Sequence, residues 1–160
     1  MLIQQTEIAG CYIVEPKVIE DKRGYFFESY SHGKIEQLTG ITSQFVQDNE
    51  SFSTRGVLRG LHFQKGKHAQ AKLVRVLDGE VLDVAVDIRP ESKTFGKVVT
   101  TLLSAKNKKQ MYVPRGCAHG FVTLSDTATF FYKCDYYYNA ASVGGILYYD
   151  SAFNIDWILA

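Results

Sequence analysis

Short apolar or alternating runs dominate the chain. They cover 11–14, 24–30, 43–47, 71–77, 81–88, 96–103, 109–113, 120–124, 127–138 and 145–149. Their lengths predict many strands. One short helix is expected over Gly33–Leu38, with Ser31 or His32 at its start, Ile35 and Leu38 as an i, i+3 apolar pair, and Gly40 ending it. Strands without alternating helices predict an antiparallel all-β architecture, a sandwich or barrel with one or two short helices.

Asp78-Gly79 lies between two of these runs and suits a two-residue type I′ hairpin turn. In that register Val76 faces Val81, Val74 faces Asp83 and Lys72 faces Ala85. Lys72 and Asp83 would then be diagonal neighbours in a row otherwise made of Val and Ala. A purely structural strand has little use for such a pair; the alternative is that this face is solvated and Leu73, Leu77, Leu82, Val84 and Val86 form the core.

With 160 residues, 46% of them hydrophobic, the chain predicts one domain over 1–160. Eighteen Lys and Arg against 17 Asp and Glu leave a net charge of +1, which argues against nucleic-acid or membrane partners. The N-terminal stretch has no basic region followed by a long apolar run, and no window reaches the length of a membrane span, so a cytoplasmic protein is expected. Cys11, Cys117 and Cys134 are odd in number and widely spaced, which fits reduced, packed thiols.

Two stretches carry the candidate chemistry: GVLRGLHFQ (56–64), followed by Lys72 and Gly79, and PRGCAHGF (114–121). They resemble the two motifs of the cupin superfamily, whose metal-binding members place His-x-His and Glu in the first and His in the second. Here His62 and His119 remain, but Gln64 stands at the second His position and Lys72 at the Glu position. A protonated Lys cannot ligate a metal, so no metal is expected. Two imidazoles beside a fixed cation suit a reaction in which negative charge builds on a substrate oxygen, such as enolate formation.

The resemblance narrows with GYFFESYS (24–31), FVQDN (45–49), AKLVRV (71–76), GEVLDVAVDIRPES (79–92), TFGK (94–97), YKCDYYYN (132–139) and GGILY (144–148). Together with the two cupin stretches, and in this order, they are similar to the dTDP-4-dehydrorhamnose 3,5-epimerase family. The resemblance implies a cupin double-stranded β-helix, a jelly-roll barrel, and a reaction that uses no cofactor. It implies inversion of C3 and C5 in dTDP-4-dehydro-6-deoxy-D-glucose, with His62 as base, Tyr132 as acid and Lys72 stabilising the enolate. Substrate contacts are implied for Arg23, Glu28, Gln47, Asp48, Asn49, Arg59, Lys72 and His119, with Tyr138 stacking on thymine. A homodimer joined through the N-terminal strands, each copy placing a residue in the other's site, is implied as well.

Arg59 and His62 are three apart and would point to opposite faces of a regular strand, so a bulge at Gly60 is expected if both line the site. Two positions depart from the family pattern. Val143 stands where a Glu is usual, which keeps a different nucleotide-linked 4-keto sugar open. The family's polar segment beyond the position of Trp157, whose Asp orients the catalytic His, has no counterpart before Ala160, and Asp83 is the substitute expected. The alternatives are epimerisation at C3 or C5 only, a weakly active nucleotide-sugar binding protein, and a metal-dependent cupin oxygenase, against which Gln64 and Lys72 count.

Overall fold

A computed structural model describes residues 1–158; the last two residues of the closing stretch 154–160 lie outside it. The strands are β1 (Leu2–Gln5), β2 (Tyr12–Glu15), β3 (Ile19–Asp21), β4 (Gly24–Phe26), β5 (Gln47–Thr54), β6 (Leu58–Gln64), β7 (Lys72–Asp78), β8 (Glu80–Asp87), β9 (Val98–Ser104), β10 (Gln110–Val113), β11 (Cys117–Thr123), β12 (Thr127–Cys134) and β13 (Val143–Gly145). One helix, α1 (His32–Thr39), ends at Gly40, whose left-handed conformation lets its N–H reach the Glu36 carbonyl. Only half of its expected apolar pair is packed: Ile35 is buried, whereas Leu38 is exposed. Among the described residues no helix is long and apolar enough to cross a membrane.

The strands form a six-stranded sheet, β1-β2-β10-β7-β12-β5, facing a five-stranded sheet, β13-β6-β11-β8-β9, with β3 and β4 paired as a separate ribbon. The all-β class and the short helices agree with expectation, but the barrel does not. Neither sheet closes on itself: β1 and β5 end one, β13 and β9 end the other. The architecture is two open sheets packed face to face, and the four ends leave unpaired strand edges.

The expected hairpin is also corrected. β7 pairs with β10 and β12, and β8 pairs with β11 and β9, so the two strands lie in different sheets. Gly79 makes the corner between them at φ 81°, and a Cβ there would collide with the Thr127 carbonyl oxygen. Lys72, Val74, Val76, Val81, Asp83 and Ala85 still share one space, because that space is the interior between two sheets. Val74, Val76, Val81 and Ala85 join Phe121 and Phe130 in the central core.

Most of the alternate residues are buried too, although Leu77 at the end of β7 is exposed. Leu82, Val84 and Val86 pack outside the five-stranded sheet beneath Phe153, Ile155 and Trp157, while Leu73 packs outside the six-stranded sheet against Ile35. Alternation alone could not choose the inner face, because both faces of β7 and β8 are covered.

Candidate active site

At one end of the interior the apolar packing gives way to a cavity of about 460 Å³, lined by residues of both sheets. The five-stranded sheet contributes Arg59, His62, His119 and Phe121; the six-stranded sheet contributes Ser51, Lys72, Phe130 and Tyr132. A second lobe of about 220 Å³ shares His62, Lys72 and Tyr132 and adds Asn49, Tyr138 and Val143.

The bulge expected at Gly60 is present. His119 pairs with His62 and Phe121 with Arg59, so Gly120 alone faces the two residues Gly60 and Leu61. Gly60 has φ 126°, and a Cβ on it would lie 2.5 Å from the Gly120 Cα. Two glycines therefore let β6 and β11 approach where the register slips, and the slip turns Arg59 and His62 to the same cavity.

His62 and His119 sit directly opposite one another but in different surroundings. Burial, then Lys72, then His119 hold the His62 imidazole below its ordinary pKa, which favours the neutral, basic form. His119 is buried, and its Nε2 lies 2.8 Å from Asp83 Oδ1. Asp83 therefore orients His119, where the sequence had suggested that it orients His62. Its other oxygen, Oδ2, is buried without a hydrogen-bond partner among the described residues. Burial pushes the Asp83 carboxyl above the usual range, against the opposing pull of His119 and Lys72.

Across the cavity, Lys72 Nζ lies 5.5 Å from the centroid of the Tyr132 ring. Burial pushes the Lys72 ammonium below its ordinary value, with Cys134 and Asp83 opposing. Burial raises the Tyr132 phenol, while Asn49 and Arg59 pull it down. The phenol thus keeps its proton until a stronger base appears. Arg59 donates from Nε to Ser53 Oγ at 2.9 Å and from Nη2 to the Phe52 carbonyl at 3.1 Å, with no carboxylate partner among the described residues. It is a cation aimed at the cavity and free to meet an anion.

Not every expected site residue arrives here. Asp48 sits on the outer face of β5 and pairs with Lys133 at 3.1 Å. Arg23 pairs with Asp21 at 2.6 Å on the β3–β4 ribbon and lines a different surface hollow, and Glu28 pairs with Lys34 at 2.7 Å. Gln47 and Asn49 share the inner face of β5, joined by a 3.0 Å hydrogen bond, and Gln47 Oε1 accepts the Tyr138 N–H at 3.2 Å.

Sequence reasoning missed Ser51, whose buried Oγ has no partner among the described residues, and the Phe121–Phe130 wall, stacked at 4.2 Å. The signal for Ser51 was available: Gln47, Asn49, Ser51 and Ser53 recur with period two. Gln64 is a fastener, donating to the His68 and Tyr137 carbonyls and accepting from the Asn139 N–H. Among the described residues no group of three His, Cys, Asp or Glu side chains is placed to hold a metal ion.

A model of the dTDP-4-dehydrorhamnose 3,5-epimerase family matches residues 5–160. The dTDP-4-dehydrorhamnose 3,5-epimerase of Salmonella typhimurium is 55% identical over 157 residues, which cover 98% of this chain and 86% of that one. The crystal structure of the Elizabethkingia anophelis enzyme of the same name superposes with a TM-score of 0.97 at 59% identity, covering 100% of this chain and 87% of that one. A 3,5-epimerase from Legionella pneumophila, solved in complex with dTDP-4-keto-L-rhamnose, gives a TM-score of 0.95 at 52% identity, covering 99% and 84%.

Proposed function

Because the chain belongs to the dTDP-4-dehydrorhamnose 3,5-epimerase family, we propose that it inverts C3 and C5 of dTDP-4-dehydro-6-deoxy-D-glucose to give dTDP-4-dehydro-L-rhamnose, using the cavity between its sheets. One observation carries the assignment of roles. His62 belongs to one sheet, Lys72 and Tyr132 to the other, and all three line one cavity. Inversion needs a base and an acid on opposite sides of the sugar ring, and placement on two facing sheets supports these roles.

At C3, neutral His62 removes the proton. The C–H electron pair forms the C3–C4 double bond, and the C4 carbonyl becomes an enolate held by the Lys72 ammonium. Tyr132 then gives its phenolic proton to C3 from the other side. His62 is left protonated and Tyr132 ionised, so the proton must return, directly or through solvent, before the same sequence runs at C5. Arg59 meets the diphosphate and Tyr138 stacks on the thymine.

Incubation with the 4-keto sugar nucleotide in D2O tests this reading. Deuterium at both C3 and C5 is expected. Label at one carbon would make the protein a monoepimerase, and tight binding without label would make it a binding protein. His62→Ala should slow exchange by roughly 10²–10⁴-fold.

The active form is a homodimer in this reading. The β3–β4 ribbon exposes Ile19, Tyr25 and Phe26, and Leu2 is exposed on the edge strand β1, so the chain carries both exposed apolar side chains and an unpaired strand edge that a second copy could cover. Arg23 would then serve the site of the other copy. Mixing inactive Arg23→Ala and His62→Ala proteins should restore activity, since one of the two mixed sites is intact; no restoration would confine Arg23 to its own chain. A cytosolic setting is supported by three buried, unpaired cysteines.

A further inference from the structure

The segment that carries Tyr138 and Val143 lies beside the smaller lobe of the cavity, and no catalytic step explains how it is held. It leaves β12 at Cys134 and returns to β6 through β13. Ser142 Oγ lies 2.7 Å from His68 Nδ1 and 3.1 Å from Asn139 Oδ1, and Asn139 Nδ2 lies 3.5 Å from His68 Nε2. With Asn139 Nδ2 facing His68 and Oδ1 facing Ser142, donor counting closes these three contacts into a ring in one sense. The Asn139 amide nitrogen can only donate, so His68 Nε2 must accept. The ring N–H at His68 Nδ1 then donates a hydrogen bond to Ser142 Oγ, whose O–H donates to Asn139 Oδ1.

We propose that His68, Asn139 and Ser142 are positioning residues: their closed ring, with His68 donating from Nδ1 and accepting at Nε2, holds the Tyr138–Val143 segment at the shape that receives the nucleotide. This rests on the reading of Tyr138 as the surface on which the base stacks. Gln64 ties the ring to the segment, since it bonds the His68 and Tyr137 carbonyls and the Asn139 N–H. Lys65 N–H adds a bond of 2.8 Å to the Ser142 carbonyl. Tyr136 packs edge-on against the His68 ring, with centroids 5.8 Å apart.

Nitrogen-15 NMR of the wild-type histidine rings is the first test, and it is independent of activity. A protonated Nδ1 and a bare Nε2 at His68 are expected; the opposite tautomer overturns the ring. The second test is kinetic. Ser142→Ala should raise KM for the 4-keto sugar nucleotide roughly tenfold, the equivalent of one or two lost hydrogen bonds, and leave kcat within about twofold. Ser142→Thr, which keeps the hydroxyl, should recover most of the loss. An unchanged KM in Ser142→Ala, or a fall in kcat alone, would overturn the proposal. Absence of turnover in the wild type would instead count against the reaction itself and leave the NMR result standing.

Discussion

Strand β8 carries two aspartates four residues apart, Asp83 and Asp87, both fully buried and treated in opposite ways. Asp87 is saturated. Arg89 Nε reaches Oδ1 and Nη2 reaches Oδ2 at 2.8 Å, Ser92 and Thr94 hydroxyls each donate at 2.6 Å, and the Arg89 N–H adds a fifth bond. These donors outweigh burial and hold its carboxyl far below the usual range. Among the described residues Asp83 has a single partner, His119, and an orphaned oxygen, and its carboxyl is pushed upward. A buried charge whose bonding capacity is filled closes a loop; one left half-filled beside a cavity costs stability and is retained for chemistry.

The largest expected effect sharpens this contrast at the cavity end. Asp83→Asn keeps the shape but removes the charge beside His119, and kcat/KM should fall about 10–100-fold. Its stability in urea should change by less than about 1 kcal/mol, or rise, because a poorly compensated buried charge is gone. Activity equal to wild type would reduce Asp83 to filler and break the comparison.

Asp87→Asn should do the reverse. It uncouples Arg89 from the loop at 89–94 and should cost about 2–3 kcal/mol of unfolding free energy, below the full cost of breaking a buried pair because Arg89 is partly exposed. The catalytic rate of the folded fraction should stay near wild type. A loss of activity at full stability would place the Asp87 loop in the site.

The smallest effects are the pH slopes, where the two residues have opposite signs. The folded-state pKa of Asp87 is depressed, so its stabilisation is complete above the unfolded carboxyl value near ~3.9 and is lost as pH falls toward the folded value. Asp83 is raised, so the folded state binds the extra proton and stability declines as pH climbs above ~3.9. Urea midpoints measured from pH 3 to 7 should show Asp87→Asn flattening the acid side and Asp83→Asn lifting the neutral side. Parallel curves for the two variants would contradict the assigned surroundings.

Most of the core strands were legible in the sequence because their residues are apolar and short-ranged in pattern. β7, β8, β9 and β10 fall within a residue or two of the apolar runs that predict them. β5 was not. The expected strand at 43–47 is irregular until its last residue, and the real strand is Gln47–Thr54, QDNESFST. Its inner face lines the cavity and its outer face meets solvent, so it carries no apolar stripe to read. The apolar pattern therefore missed the strand that contributes Asn49 and Ser51, although its polar residues recur with period two.

By itself the sequence determined the residue chemistry: two imidazoles in the cupin-like motifs, a lysine where a metal ligand would stand, a bulge at Gly60 and the helix stop at Gly40. It also placed Lys72 and Asp83 in one space, although by a hairpin that does not exist. Tertiary structure decided which strands share a sheet, that both sheets stay open, that Asp83 bonds His119, and that Asp48 and Arg23 stay outside the cavity. The physical reason is common to all of these. Periodicity along a strand reports which residues share a face, but when both faces are buried it cannot say what lies opposite, and pairing across sheets is set by packing between segments far apart in the chain.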